Sequence, residues 1–192
     1  MFNWPAFLTY MIITAITPGP NNITSMTNGS MVGFRRSLPF NFGVLAGFSF
    51  IMAIVALFSS TLFRIIPTIR FPMQILGAAY ILWLAYKTVT SDAQLATGHV
   101  TTTFRAGVLL QFINVKLYIY GITSVGSYIL PHYDQMPIIL GFCIILAITA
   151  FVCTLLWSAF GASFRTLFSR HSKVVNYVMG GLLVYCAIAL FF

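Results

Sequence analysis

The 192-residue chain has almost no acid: Asp92 and Asp134 are its only carboxylate side chains, against ten lysines and arginines. Both fall in polar stretches, so no carboxylate is available at membrane depth. Cysteine is scarce as well. Cys143, Cys153 and Cys186 lie in apolar runs with no CxxC or Cys/His spacing and read as reduced packing residues. Without histidine or carboxylate companions they make no metal site, and no cofactor is expected. Charged residues amount to only 6% against 59% hydrophobic, with a mean hydropathy of +0.95, which excludes a soluble domain of this length. The start, Met1-Phe2-Asn3-Trp4, lacks a basic leader, and no small-residue cleavage pattern follows the first apolar run. It is expected to remain as a helix and not to be a signal peptide.

What is present is apolar length. At about 20 residues per crossing the chain has room for six transmembrane helices and nothing else. The expectation is an all-α polytopic membrane protein, a single transmembrane domain spanning 1–192. The six helices fall at about 4–26, 38–63, 73–86, 104–130, 137–160 and 174–192. Asn28-Gly29-Ser30 reads as a polar turn, Arg64 to Pro72 as a loop, and Thr88 to Thr103 as the longest polar loop, with Thr101-Thr102-Thr103 able to cap the next helix. The fifth helix offers Thr149, Thr154 and Ser158 as its polar residues. Gly43 and Gly47, four apart, let another helix approach closely, within one chain or in a homo-oligomer. The net charge of +8 sits mostly just outside apolar runs, which signals topology and lipid contact and not nucleic-acid binding. Arg35, Arg36, Lys87, Arg105, Arg165, Arg170 and Lys173 share one side and oppose Arg64 and Arg70, so the cation-rich side is expected to be cytoplasmic and both termini periplasmic.

Two stretches carry the chemistry. In Thr17-Pro18-Gly19-Pro20-Asn21-Asn22 the prolines lack the N–H groups that would bond the carbonyls of Thr14 and Ile16, so the first helix must break. Gly19 admits conformations that other residues resist. Pro20 suits the first turn of a new helix, whose unpaired N–H groups carry positive potential and attract an anion. Irregular backbone at membrane depth belongs in a wet cavity or inside protein, so this stretch reads as a binding site; the plainer reading is a kink. The second stretch, Gln111-Phe112-Ile113-Asn114-Val115-Lys116, holds the one cation deep in an apolar run. Lys116 lies about 18 Å in from Phe104 at ~1.5 Å per residue, too deep to reach the surface from that end. Its expected partners are a substrate carboxylate or backbone carbonyls. In an unbroken helix Asn114 and Lys116 point about 200° apart, so spacing alone does not join them in one site.

The first and fourth helices each carry a disturbed stretch, and Leu76-Gly77-Ala78-Ala79-Tyr80 in the third echoes Met179-Gly180-Gly181-Leu182-Leu183 in the sixth. Two three-helix halves, about 1–90 and 104–192, would lie in opposite orientations, a 3+3 inverted repeat of the kind many secondary transporters use.

Ile16-Thr17-Pro18-Gly19-Pro20-Asn21-Asn22, Gly33, the Gly43 and Gly47 pair, Gly77-Ala78-Ala79-Tyr80-Ile81 and Asn114-Val115-Lys116 together resemble the LysE/RhtB family of amino-acid exporters, over essentially the whole chain. Gln111 to Lys116, Tyr120-Gly121-Ile122-Thr123 and Leu182 to Ala187 look most like the branch that exports cysteine and O-acetylserine. The family often has Asn-Pro-Lys where this chain has Asn114-Val115-Lys116, so an expected break in the fourth helix loses its proline. The resemblance implies proton-driven efflux of small neutral amino acids across a bacterial inner membrane, without enzymatic activity. The substrate would be held by Thr17, Pro18, Gly19, Pro20, Asn21, Asn22, Gln111, Asn114 and Lys116. Its carboxylate would meet the helix start at Pro20 and Lys116, and its ammonium the freed carbonyls of Thr14 and Ile16 and the asparagine side chains. A proton carrier would have to be Lys116, the substrate or water. Alternatives are an exporter of homoserine, threonine or lysine, a passive small-solute channel, and, least supported, an intramembrane hydrolase using Ser163 and His171.

Overall fold

The computed structural model describes residues 2–90, 102–164 and 172–189. Asp92, His99, Thr101 and the basic stretch holding Arg165, Arg170 and His171 lie outside them. The described residues are all helical, joined by turns. Helix α1 (Trp4–Ile16) starts at Asn3, whose side chain accepts from the Ala6 N–H at 3.1 Å. It stops where the prolines require. After Thr17, Pro18 and Gly19 the chain resumes as α2 (Pro20–Val32), with Pro20 as its first residue.

The polar turn expected at Asn28-Gly29-Ser30 does not form. These residues are the last turns of α2, with Asn28 and Gly29 buried. The turn falls at Gly33 instead, whose φ of 84° is the left-handed conformation that a residue without Cβ adopts freely. This one residue joins α2 to α3 (Phe34–Thr90), a long helix kinked at Phe58 (φ −113°, ψ 19°). The loop expected from Arg64 to Pro72 is thus helical backbone.

Thr103 caps α4 (Phe104–Ile113), accepting from the Ala106 N–H at 3.3 Å. Asn114 interrupts the helix, and α5 (Val115–Ile122) continues at a bend of 66° before passing into a π-helical segment, Thr123–Ile129. Helices α6 (Met136–Ser163) and α7 (Ser172–Ala189) complete the chain. Phe34–Phe58 and Met136–Ser163 are long and apolar enough to cross a membrane, and the bent pair around Asn114 adds a third such span. Phe50, Ile144, Ile148 and Leu156 are exposed along these spans, and the chain is a membrane protein.

Lipid is as apolar as leucine, so close packing and polar contacts must hold such helices together. Two crossings do this backbone to backbone. A Cβ on Gly29 would lie 2.1 Å from the Ser158 carbonyl oxygen, and one on Gly161 2.1 Å from that of Met26, which brings α2 and α6 together. Gly43 and Gly107 repeat the arrangement between α3 and α4, facing the Phe104 and Phe40 carbonyls at 2.0 and 2.2 Å. Gly47 meets Val108 and the Gln111 side chain. The Gly43 and Gly47 pair therefore packs within the chain, against α4.

Between these crossings runs a polar seam of four fully buried residues, Ser25, Asn41, Ser37 and Ser158. The Ser25 hydroxyl donates to Asn41 Oδ1 at 2.7 Å, and Asn41 Nδ2 donates to the Ser37 carbonyl at 3.3 Å. The Ser37 hydroxyl donates to the Phe34 carbonyl at 2.6 Å, which leaves Ser158 as the donor in the bond between the two serine hydroxyls.

Candidate functional site

A broken helix leaves carbonyls that must find donors elsewhere. At the end of α1 every one of them does. The Thr17 hydroxyl turns back onto the Ile13 and Thr14 carbonyls. Asn22 reaches back from the first turn of α2, its Nδ2 donating to the Ala15 carbonyl at 2.8 Å and the Thr17 carbonyl at 2.9 Å. The indole N–H of Trp157, on α6, donates to the Ile16 carbonyl at 3.0 Å. Lys116 Nζ, on α5, donates to the Thr17 carbonyl at 2.8 Å and lies 3.4 Å from that of Pro18.

This accounting corrects one expectation. The Thr14 and Ile16 carbonyls, which the prolines free, already have protein donors. The carbonyls turned toward Lys116 are those of Thr17 and Pro18. It also changes the reason for Gly19. Its φ of −171° is extended backbone open to any residue. A Cβ there, however, would lie 3.0 Å from Lys116 Cδ and 3.2 Å from Nζ. Gly19 makes room for the lysine stem.

The second stretch is broken as well, without proline. Asn114 has φ −82° and ψ 90°, ending α4 and starting α5. The break removes the angular separation that an unbroken helix would impose, and Asn114 and Lys116 line one cavity. The Asn114 side chain caps nothing. Gln111 takes a different place. It is fully buried, donating from Nε2 to the Gly107 carbonyl at 2.8 Å and exchanging two bonds with the Asn21 amide, at 2.8 and 3.1 Å. Gln111 thus braces Asn21 from behind and is not part of the lining.

The cavity encloses about 390 Å³, counting its open mouth. Its polar lining comes from Asn21, Asn22, Asn114 and Lys116, with Thr14 and Thr154, and Gly19 and Pro20 add backbone. Phe48, Leu117, Tyr120, Ala15 and Ala150 complete it. Among the described residues no acid lines it. Sequence reading missed Phe48, Leu117, Tyr120 and Ala150, because nothing local marks one phenylalanine or alanine among many as a wall. It missed Trp157 too, although an indole donor was to be sought for a carbonyl freed by proline. Of the hydrolase candidates, the Ser163 hydroxyl donates to the Ala159 carbonyl at an exposed helix end, at 2.9 Å.

The chain is 37% identical to the cysteine/O-acetylserine efflux protein of Escherichia coli O1:K1 / APEC over 190 residues, 97% of this chain and 96% of that one. It is 36% identical, over the same shares, to the proteins of that name from Escherichia coli strain K12 and Shigella flexneri serotype 5b strain 8401. No solved structure matches it. The model of the LysE type translocator family matches residues 12–192, and with relatives similar from end to end the chain belongs to that family.

Proposed function

We propose that the protein exports small neutral amino acids, cysteine and O-acetylserine among them, across the bacterial inner membrane, driven by the proton gradient. One observation carries the reading: both broken helices line a single cavity, through Pro20, Asn21 and Asn22 at the start of α2 and through Asn114 and Lys116 at the second break, with Lys116 donating to the Thr17 carbonyl. A zwitterion needs both signs of partner. Its carboxylate is matched by the N–H groups of Asn21 and Asn22 at the start of α2 and by Lys116. Its ammonium is matched by Asn22 Oδ1 and Asn114 Oδ1. A short, uncharged side chain suits Phe48, Leu117 and Ala150, whereas a lysine side chain would meet no acid among the described residues. The curated relatives named as cysteine/O-acetylserine efflux proteins support the same substrates.

Six crossings follow if α1 with α2, the two arms of α3, α4 with α5, α6 and α7 each span once. The halves 1–90 and 104–192 then form an inverted 3+3 repeat with the cavity between them, since Thr14 to Asn22 and Phe48 come from one half and Asn114 to Tyr120, Ala150 and Thr154 from the other. Alternating access moves one half against the other, and the glycine crossings and polar seam lie on that boundary. Lys116 carries the coupled proton, exchanging its backbone carbonyls for the substrate carboxylate. In this reading the Arg35 and Arg36 end is cytoplasmic and both termini are periplasmic.

Efflux of labelled O-acetylserine and cysteine from proteoliposomes, with and without a pH gradient, tests the proposal. Saturable efflux stimulated by the gradient is expected. Flux rising linearly with concentration would mean a passive pore, and the proposal would fall.

A further inference from the structure

We infer that Trp157 is a positioning residue of the substrate site, setting the peptide plane whose neighbour, the Thr17 carbonyl, holds Lys116 and Asn22, two residues that line it. The inference rests on the function proposed above. Pro20 removes the N–H that would serve the Ile16 carbonyl in a continuous helix, so that acceptor needs a donor from outside α1. Trp157 supplies it at 3.0 Å from α6. Ile16 and Thr17 carbonyls belong to consecutive peptide units, and fixing the first limits the rotation of the second, which Lys116 and Asn22 both read. Held at 16 by Trp157 and at 17 by Lys116, the break in one half is clamped by two donors from the other half.

The same turn of α6 continues into the boundary between the halves. Ser158 joins the polar seam through Ser37, and Gly161 meets the Met26 backbone. Trp157 stands where the site and the boundary share a helix. Its N–H does not line the cavity, so its effect on substrate must pass through the backbone of residues 16 and 17.

The test is O-acetylserine transport by Trp157→Phe, which keeps an aromatic ring and loses the donor, and by Trp157→His, which restores a ring N–H. The phenylalanine variant should raise KM three- to tenfold with little change in kcat, the loss of one neutral hydrogen bond, and the histidine variant should recover part of it. Equal behaviour of the two variants, or a loss confined to kcat, would overturn the inference. A second measurement needs no change at 157. With Trp4→Phe and Trp83→Phe, Trp157 is the only tryptophan left, and its emission should shift on adding O-acetylserine; no shift at saturating concentration would also overturn it. Wild-type transport of O-acetylserine tests the proposed function alone. If the wild type carries homoserine or threonine instead, that function falls, and the Trp157 comparison is read with the amino acid carried.

Discussion

The ammonium of Lys116 sits 2.8 Å from the Thr17 carbonyl, 99 residues away in sequence, so the cation on α5 is held by the broken end of α1. Lys116→Met leaves that carbonyl without its charged donor and should reduce efflux about tenfold to a hundredfold. Lys116→Arg should not rescue, because the planar guanidinium needs more width than the space left by Gly19. Initial rates in proteoliposomes decide it; restored flux with arginine would mean that charge alone suffices.

Gly19→Ala should impair transport by pressing on the Lys116 stem, since the added Cβ would lie 3.0 Å from Cδ. The damage should be smaller when the stem is also removed. Comparing Gly19→Ala with Gly19→Ala/Lys116→Ala, each against its own background, measures this coupling. Strictly additive effects would show that the two residues do not share the space.

The glycine crossings predict stability. Gly29→Ala or Gly107→Ala puts a methyl 2.1 or 2.2 Å from a backbone oxygen, and nothing there is flexible. Each should destabilise by about 1–3 kcal/mol or more. Gly141, also in a helix, has nothing within 4 Å of its Cβ position, and Gly141→Ala should hold or raise the melting temperature by removing a poor helix former. Thermal unfolding in detergent separates the two groups.

The polar seam predicts a lock. Ser37 and Ser158 touch through their hydroxyls across the proposed moving boundary. In a background with Cys143, Cys153 and Cys186 changed to alanine, Ser37→Cys/Ser158→Cys should lose both thiols on oxidation and stop transporting, and reductant should restore flux. Full transport by the oxidised protein would mean that α3 and α6 stay together throughout the cycle.

Proline made one half of the site legible in the sequence. An absent N–H is a local fact, so the break at Thr17 to Gly19 and the helix start at Pro20 follow from residue identity. The break at Asn114 has no such mark. What accompanies it is tertiary: α4 is pinned to α3 at Gly43 and Gly107, while Lys116 reaches to Thr17 and Pro18. No neighbouring residue encodes either contact. Asn28-Gly29 misled for a related reason: small polar residues suit turns, but in lipid they also suit a helix crossing, where the backbone of α6 takes the place of solvent. The family resemblance supplied the pairing of the two stretches. It did not supply Trp157 or the roles of Gly19 and Gln111, which depend on what stands across the cavity.

The π-helical segment Thr123–Ile129 closes its bonds five residues back, as from the Leu130 N–H to the Val125 carbonyl at 2.9 Å. Each such turn holds one residue more than an α-turn over a similar rise. The segment is therefore where the chain stores surplus length. A one-residue deletion inside it can be absorbed by tightening to an α-turn, leaving Leu130 and the turn beyond it nearly in place, whereas the same deletion in α6 would rotate Trp157, Ser158 and Gly161 off their partners together. Tolerance to shortening should differ sharply between two helices of the same protein.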